Sequence, residues 1–364
     1  MNRQIAFGAQ CSARVGVAVA LLALLLAGCI DTSRLEAPKQ AIGKMNQITV
    51  VADSGAWTGP EGDSLRGYLE AIYPIMPEPE PMFDVQHYTP EEFNANPMRR
   101  NLRVLLFFAD LSDGNASTTA MVKEAIGAEN VLRAKEDPSF ASVVGRDRWA
   151  ADQLVIYLFG YGQKQLTDNV RSSFPAIVKR MKEFNTPMLE AQTYIKKTNT
   201  KLQDMLRDSF QIEMQVPGDY QLAIHDGNFA WLRKDGQHLN SNILVYKFKY
   251  DDKKQLSEAG LKAVQDEIGK RYITTSQPGA YMRINDVDLP VFYNNTIINN
   301  NFAIEARGIW ETEGDFMGGP FLSYLVQTSK KDELVLLCGF VHAPGSSKRD
   351  YMQSLELVFT QAKM

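Results

Sequence analysis

The run Leu154-Val155-Ile156-Tyr157-Leu158-Phe159 is apolar at every position and meets the turn Gly160-Tyr161-Gly162 at once. Six residues are too few for a buried helix, and their β-branched and aromatic side chains favour a strand covered on both faces. Two earlier runs repeat the pattern, ITVVAD over 48–53 and RVLLFFAD over 103–110. Helix-compatible segments separate the three. Asp63 and Ser64 stand where they can cap a helix carrying Leu65, Tyr68, Leu69 and Ile72. Thr89-Pro90-Glu91-Glu92 spells a capping box with proline at the first helical position, and a further helix is expected over 117–134. Alternation of this kind predicts an α/β half over 47–163 with a mostly parallel sheet.

Past Gly162 the period changes. Residues 164–208 carry no strand signal and read as a helical connector that Pro187 splits or kinks. Residues 209–364 read as an α+β half with mainly antiparallel sheet. In FQIEMQV, Phe210, Ile212, Met214 and Val216 alternate with polar residues. In LVYKFKY, Leu244, Tyr246, Phe248 and Tyr250 alternate with Lys247 and Lys249. Strict alternation predicts strands with one buried and one wet face. A helix with Leu261, Val264 and Ile268 inward follows, then strands over 302–311, 321–328 and 333–342 and a last helix from near 348.

The amino-terminal end carries a different message. Arg3 and Arg14 are the only charges before Asp31, and residues 15–28 are apolar or small throughout. That stretch is shorter than the roughly 20 residues of a membrane span and suits a secretory leader. It ends in Leu26-Ala27-Gly28-Cys29, which resembles the lipobox of bacterial lipoproteins. The resemblance implies that residues 1–28 are a signal peptide and that Cys29 becomes an acylated, palmitate-bearing amino terminus. Residues 29–46 then form the lipidated cysteine and its tether, holding the body roughly 20–25 Å from the bilayer. Cys11 leaves with the leader and Cys29 carries lipid, so Cys338 stands alone in the apolar run LVLLCGF, a small hydrophobe without a disulfide partner. Ile30, where an aspartate would retain the protein at the inner membrane, favours the outer membrane. Residues 30–36 lack the acidic run of some surface-export signals, which favours the periplasmic side.

Composition narrows the partners. Hydrophobic residues make up 45% and charged residues 23% of the 364, values of a folded chain. Loss of Arg3 and Arg14 with the leader leaves 37 of the 39 basic residues against 43 acids, a net charge of −6 on 336 residues. An acidic chain without a basic block is poorly suited to phosphate backbones, so no nucleic-acid partner is expected.

Catalytic motifs are fragmentary. Gly62-Asp63-Ser64-Leu65 spells the GDSL tetrapeptide of a large esterase superfamily, and Asp235-Gly236-Gln237-His238 has the spacing of its D-x-x-H. In that family the serine follows the first strand directly and the histidine motif lies late. Here Trp57-Thr58-Gly59-Pro60 intervenes and 126 residues follow His238, so a helix cap is the better account of Asp63 and Ser64. Gly160-Tyr161-Gly162 lacks the third glycine of a dinucleotide fingerprint, Gln165 standing in its place. His87, His225, His238 and His342 are scattered without metal-ligand spacing. No cofactor or metal is expected.

The second half also carries recognisable strings in series. They are Phe229-Ala230-Trp231-Leu232-Arg233, Arg307-Gly308-Ile309-Trp310, Gly314-Asp315-Phe316-Met317-Gly318-Gly319-Pro320-Phe321 and Lys348-Arg349-Asp350-Tyr351-Met352. Upstream lies Pro77-Glu78-Pro79-Glu80-Pro81-Met82-Phe83-Asp84. Together they resemble a family of lipoproteins from diderm bacteria known as domain of unknown function 4837, over nearly all of the mature chain. Ala280-Tyr281-Met282 departs from it, serine being expected before the tyrosine. The resemblance implies a lipoprotein and brings no activity, cofactor or catalytic residue. Two readings of these strings stand side by side. One is core and surface packing, with Gly318-Gly319-Pro320 at a tight or bulged start of a strand. The other is convergence of Trp231, Arg233, Tyr281, Arg307, Trp310, Lys348 and Arg349 on one face that binds an anion, glycan or peptide, with Arg307 the first residue to inspect. The expected function is a membrane-anchored envelope lipoprotein acting as a binding or assembly module for an envelope protein, glycan or small-molecule ligand. The alternative is an envelope serine hydrolase of GDSL type using Ser64 and His238.

Overall fold

The computed structural model describes residues 39–364 apart from positions 238 and 331. The expected signal peptide, Cys29 and His238 lie outside the described residues. Among the described residues, no helix is long and apolar enough to cross a membrane.

The three apolar runs form the centre of a five-stranded sheet. They are β1 (Gln47–Val51), β3 (Val104–Asp110) and β5 (Leu154–Gly160), joined by the more polar β2 (Asp84–Tyr88) and β4 (Ser142–Arg146) in the order β2-β1-β3-β5-β4. All pairs are parallel except β4 with β5. Helices cover both faces, which is why β3 and β5 are apolar without interruption. On one face Leu106, Phe108, Ile156 and Leu158 pack under α2 (Pro60–Leu69) and α5 (Gln163–Thr193). On the other, Leu105, Phe107, Val155 and Tyr157 meet Phe93 of α3 (Pro90–Ala95) and Val122 and Ile126 of α4 (Ser117–Glu136). A single turn, α1 (Ser54–Thr58), precedes α2.

Local signals hold in part. Thr89 closes the expected capping box with Glu92. The helix expected to be capped by Asp63 and Ser64 begins earlier, at Pro60 after Gly59, so both residues lie inside α2. Gly59 and Pro60 supply the break and the preset φ that start a helix, leaving Asp63 free to pair with Arg66. Pro187 does not split the helical stretch. α5 runs through Pro175 and Pro187, held to the sheet by Leu166, Val170, Ile177, Met181 and Phe184. The break falls after Thr193, before α6 (Thr200–Phe210).

The second sheet has eight strands: β6 (Gln221–Asp226), β7 (Phe229–Asp235), β8 (Asn240–Lys249), β9 (Tyr281–Asn285), β10 (Phe292–Ile298), β11 (Asn301–Glu313), β12 (Gly318–Gln327) and β13 (Glu333–His342). The order is β10-β11-β12-β13-β8-β7-β6, entirely antiparallel, with β9 continuing the β10 side of β11. Its faces are both covered, against the expectation of a wet side. α7 (Glu258–Tyr272) and β9 cover Leu244, Phe321, Leu336 and Cys338. α6 and α8 (Arg349–Thr360) cover Ile243, Val245, Leu322 and Leu337. Ile243, Leu244 and Val245 are accordingly all buried.

FQIEMQV is the other correction. Phe210 ends α6, and Ile212, Met214 and Val216 are buried in alternation, but the segment pairs with other backbone only at isolated points, a bridge from Glu213 to Lys363 and the Val216 carbonyl accepting from Asn199 N–H at 2.8 Å. It is an extended strap across the core rather than a strand. The Gly318-Gly319-Pro320 start is unbulged, Gly319 lying opposite Trp310 in regular register. A Cβ on Gly319 would come within 1.9 Å of the Val341 carbonyl oxygen, the same oxygen to which the Trp310 indole donates at 3.2 Å. Pro320 precedes the pairing of β12 with β13, which starts at Phe321.

Candidate functional site

The seven candidate residues occupy four places, so no single face gathers them. Lys348 and Arg349 are buried in a clamp between the two halves. The Glu80 carboxylate accepts from the backbone N–H of Lys348 at 2.7 Å and of Arg349 at 3.0 Å, filling the amino terminus of α8 from the other half of the molecule. Arg349 donates to both oxygens of Asp84, at 3.1 and 2.9 Å, to the Pro81 carbonyl at 2.8 Å and to Asp350. Burial opposes the Arg349 charge, but Asp84 and Asp350 outweigh it and hold its pKa above the ordinary guanidinium value. Lys348 Nζ reaches Glu78 at 3.1 Å. The proline-and-acid string over 77–84 and the string over 348–352 are thus two sides of one joint. Asn46 adds bonds to Asp350 and Gln353.

Arg307 sits beside that joint, in a cleft of about 460 Å³ between the halves. Met45, Tyr73, Met82 and Phe83 line it from the first half, Asn185, Thr186 and Leu189 from α5, and Glu305, Arg307, Glu356 and Leu357 from the second. Strand period places Glu305 and Arg307 on the same side of β11, under α8. The Arg307 guanidinium donates through Nε to Glu305 and pairs through Nη2 with Glu356 at 3.0 Å. Arg307 and Glu305 keep only 17% and 15% of their side chains exposed. Burial works against the Arg307 charge, while Glu356, Tyr73 and Glu305 raise its pKa overall. Burial and then Glu356 push the Tyr73 hydroxyl well above the usual phenol range, and burial does the same to Tyr324. The cluster therefore holds one fixed positive charge between two carboxylates, with two neutral phenols beside it.

Trp231, Arg233 and Trp310 meet in a smaller cleft of about 230 Å³ on the opposite side of the second sheet, with Thr275, Asp315 and His342. The Arg233 guanidinium lies 5.1 Å from the Trp231 ring and pairs with Asp235 at 2.8 Å. The Trp231 indole donates to Asn242, and Trp310 is buried against Phe340 and His342. The Trp231 and Trp310 rings are held by neighbours in the same sheet, whereas Arg233 Nε is buried without a hydrogen-bond partner among the described residues. Tyr281 lies apart, on β9 under Lys270.

The hydrolase and nucleotide arrangements are not assembled among the described residues. Ser64 is in the body of α2, not at the carboxyl edge of a strand, and Asp235 is committed to Arg233. At the carboxyl ends of β1 and β3, where a doubly wound sheet takes ligands, Asp53 accepts from the N–H groups of Ser117 and Thr118 and so fills the start of α4 itself. Asp110 accepts from Gly162 N–H, whose φ of +96° only glycine adopts without strain. No group of three His, Cys, Asp or Glu able to hold a metal occurs among the described residues. Cys338 is buried, and burial pushes its thiol up to about 11.

The geometry defines a two-part protein, a three-layer α/β half clamped to an antiparallel sheet with helices on both faces. Residues 199–361, in the second part, match the family described as Domain of unknown function (DUF4837). Residues 41–196 match a separate family, Domain of unknown function (DUF8532). The two matches abut in the turn between α5 and α6. The string over 77–84 therefore falls in the second of these families, which narrows the stretch over which the first is recognised. Among curated proteins, none matches the chain.

Proposed function

We propose that this chain is a lipoprotein of the bacterial envelope, anchored by acyl chains on Cys29 and facing the periplasm from the outer membrane. Its folded body is proposed to be a binding module that takes a small-molecule-sized group into the cleft between its halves. The leader and Leu26-Ala27-Gly28-Cys29 support the anchor. The binding reading rests on Arg307, held by two carboxylates in the wall of a junction cleft with apolar sides. Junction clefts of roughly 300–1,000 Å³ with few convergent polar groups are the usual small-ligand sites. The cleft sets Glu305 and Glu356 against Arg307 and Lys182 of α5, a charge-balanced wall that suits a polar ligand offering both hydrogen-bond donors and acceptors. The hydrolase alternative has less support, since Ser64 lies inside a helix.

Native mass spectrometry of the protein extracted from its own membranes tests both parts. The expected species is residues 29–364 plus acyl chains, with an additional small adduct. That adduct is expected to be missing from Thr186→Trp, which fills the cleft from an exposed position outside the Arg307 network. An intact leader or an unmodified Cys29 would remove the anchor. Adduct-free wild-type protein, or an adduct kept by Thr186→Trp, would remove the cleft.

A further inference from the structure

The first described residues run along the amino ends of the parallel strands. Lys39 accepts through its carbonyl from Ala151 N–H at 2.7 Å, and Ala41 donates to the Ala151 carbonyl at 2.9 Å. Ile42 N–H donates to Asn101 and its carbonyl accepts from Arg103 N–H. Gln153 ties the same two loops together through the carbonyls of Arg100 and Leu102. Segments 39–44, 100–102 and 146–153 thus make one end of the molecule, the end at which the chain enters.

That end is basic. Lys39, Lys44, Arg100, Arg146 and Arg148 are all exposed there, and among the described residues none of them takes part in an ion pair. Arg100 bonds only an asparagine, Arg148 a tyrosine hydroxyl, and Arg146 lies over the Phe184 ring. Asp147 and Asp152 are the acids of the connecting turn, and Asp147 is engaged by the Gln153 N–H. Five positive charges against two negative ones mark this face out on a chain that is acidic overall. Exposed Ile42 and Met98 lie beside them.

We propose that this end is a membrane-docking face, which the anionic phospholipid headgroups of the anchoring leaflet hold against the bilayer. The proposal rests on the lipid anchor proposed above. Nine residues lie between Cys29 and Lys39, and the ten backbone steps that join the two span no more than about 35 Å. An acylated Cys29 therefore keeps the end of the body that carries these cations within reach of the headgroups. Each Lys or Arg near an anionic surface strengthens attachment about fivefold, so three net charges give on the order of a hundredfold in favour of the docked orientation.

The test uses the full lipidated chain carrying Met98→Cys with a fluorophore on that thiol. It is reconstituted on vesicles that bear a headgroup-attached quencher, made either of phosphatidylcholine alone or with a third of phosphatidylglycerol. Quenching is expected to rise several-fold on the anionic vesicles and to fall back at about 1 M salt, where the screening length shrinks to about 3 Å. It is also expected to be lost in the Lys39→Glu, Lys44→Glu, Arg100→Glu, Arg146→Glu variant. Equal quenching on both vesicle types, or a charge-reversed variant that behaves as wild type, would overturn docking while leaving the anchor intact. Failure of the wild-type chain to float with neutral vesicles would remove the anchor, and the docking face with it.

Discussion

Cys338 shows how completely one residue can be withdrawn from chemistry by its surroundings. It lies in β13 between α7 and the sheet, with Gln265 Nε2 at 3.5 Å from its sulfur. Burial raises the thiol from 9.0 to about 11. A raised acid pKa means that the folded state keeps a proton that the unfolded chain releases. Stability contributed by the neutral thiol is therefore full below about pH 9 and is lost as pH climbs toward 11, by about 1–3 kcal/mol. Urea unfolding of wild type and Cys338→Ala at pH 8 and pH 10 checks this. The wild-type midpoint should fall further between the two, and parallel falls would contradict it. Glu80 and Asp84 illustrate the opposite case, residues whose importance is invisible in isolation. Arg307, Arg349, Trp231 and Trp310 stand out by type and setting, whereas the acids that engage two of them do not. Glu80 meets Arg349 across 269 positions, a distance over which no local pattern carries information.

At the level of elements, legibility follows burial. β1, β3 and β5 are readable because both faces are covered and the chain must be apolar throughout. The edge strands β2, β4 and β10 are half wet and carry polar residues such as Gln86, His87, Asn294 and Asn295, so no periodicity separates them from loops. The strap over 211–216 shows the converse. Its alternation reports burial correctly, but alternation says nothing about whether a neighbouring backbone is present to pair with. Capping makes a sharper test. Lys348, which stands at the cap position of α8, offers no capping side chain, and Glu80 supplies the acceptors instead. Glu80→Ala should therefore loosen a helix that lies 268 positions downstream, costing about 1–2 kcal/mol as for loss of a cap. Hydrogen exchange should accelerate at the Lys348 and Arg349 amides and hardly change in β12. Unaltered exchange at those two amides would show that another group caps the helix.

The whole molecule is more than two families in tandem. Tyr73 and Met76, from the first part, are buried within the core of the second, and the clamp, Asn46 and the Glu190–Gln361 bond extend the contact from end to end of α8. A joint with shared apolar core and buried arginine predicts coupled unfolding of the two halves. Calorimetry of the protein should give one transition with equal calorimetric and van't Hoff enthalpies. Two resolved transitions would mean that the halves are stable independently and that the joint is incidental. The cleft around Arg307 depends on the same answer, because its walls come from both sides.

Synthesis runs from the amino to the carboxyl end, and that gives the clamp a place in time. The acidic loop with Glu78, Glu80 and Asp84 is made early and waits for Lys348 and Arg349, which leave the ribosome within the last seventeen residues. Until then the core that Tyr73 and Met76 enter lacks Met352, Leu355, Val358 and Phe359. A prematurely stopped chain that lacks only the last helix would thus betray its fault far upstream, as exposed apolar surface on an otherwise finished sheet, where quality-control proteases can find it.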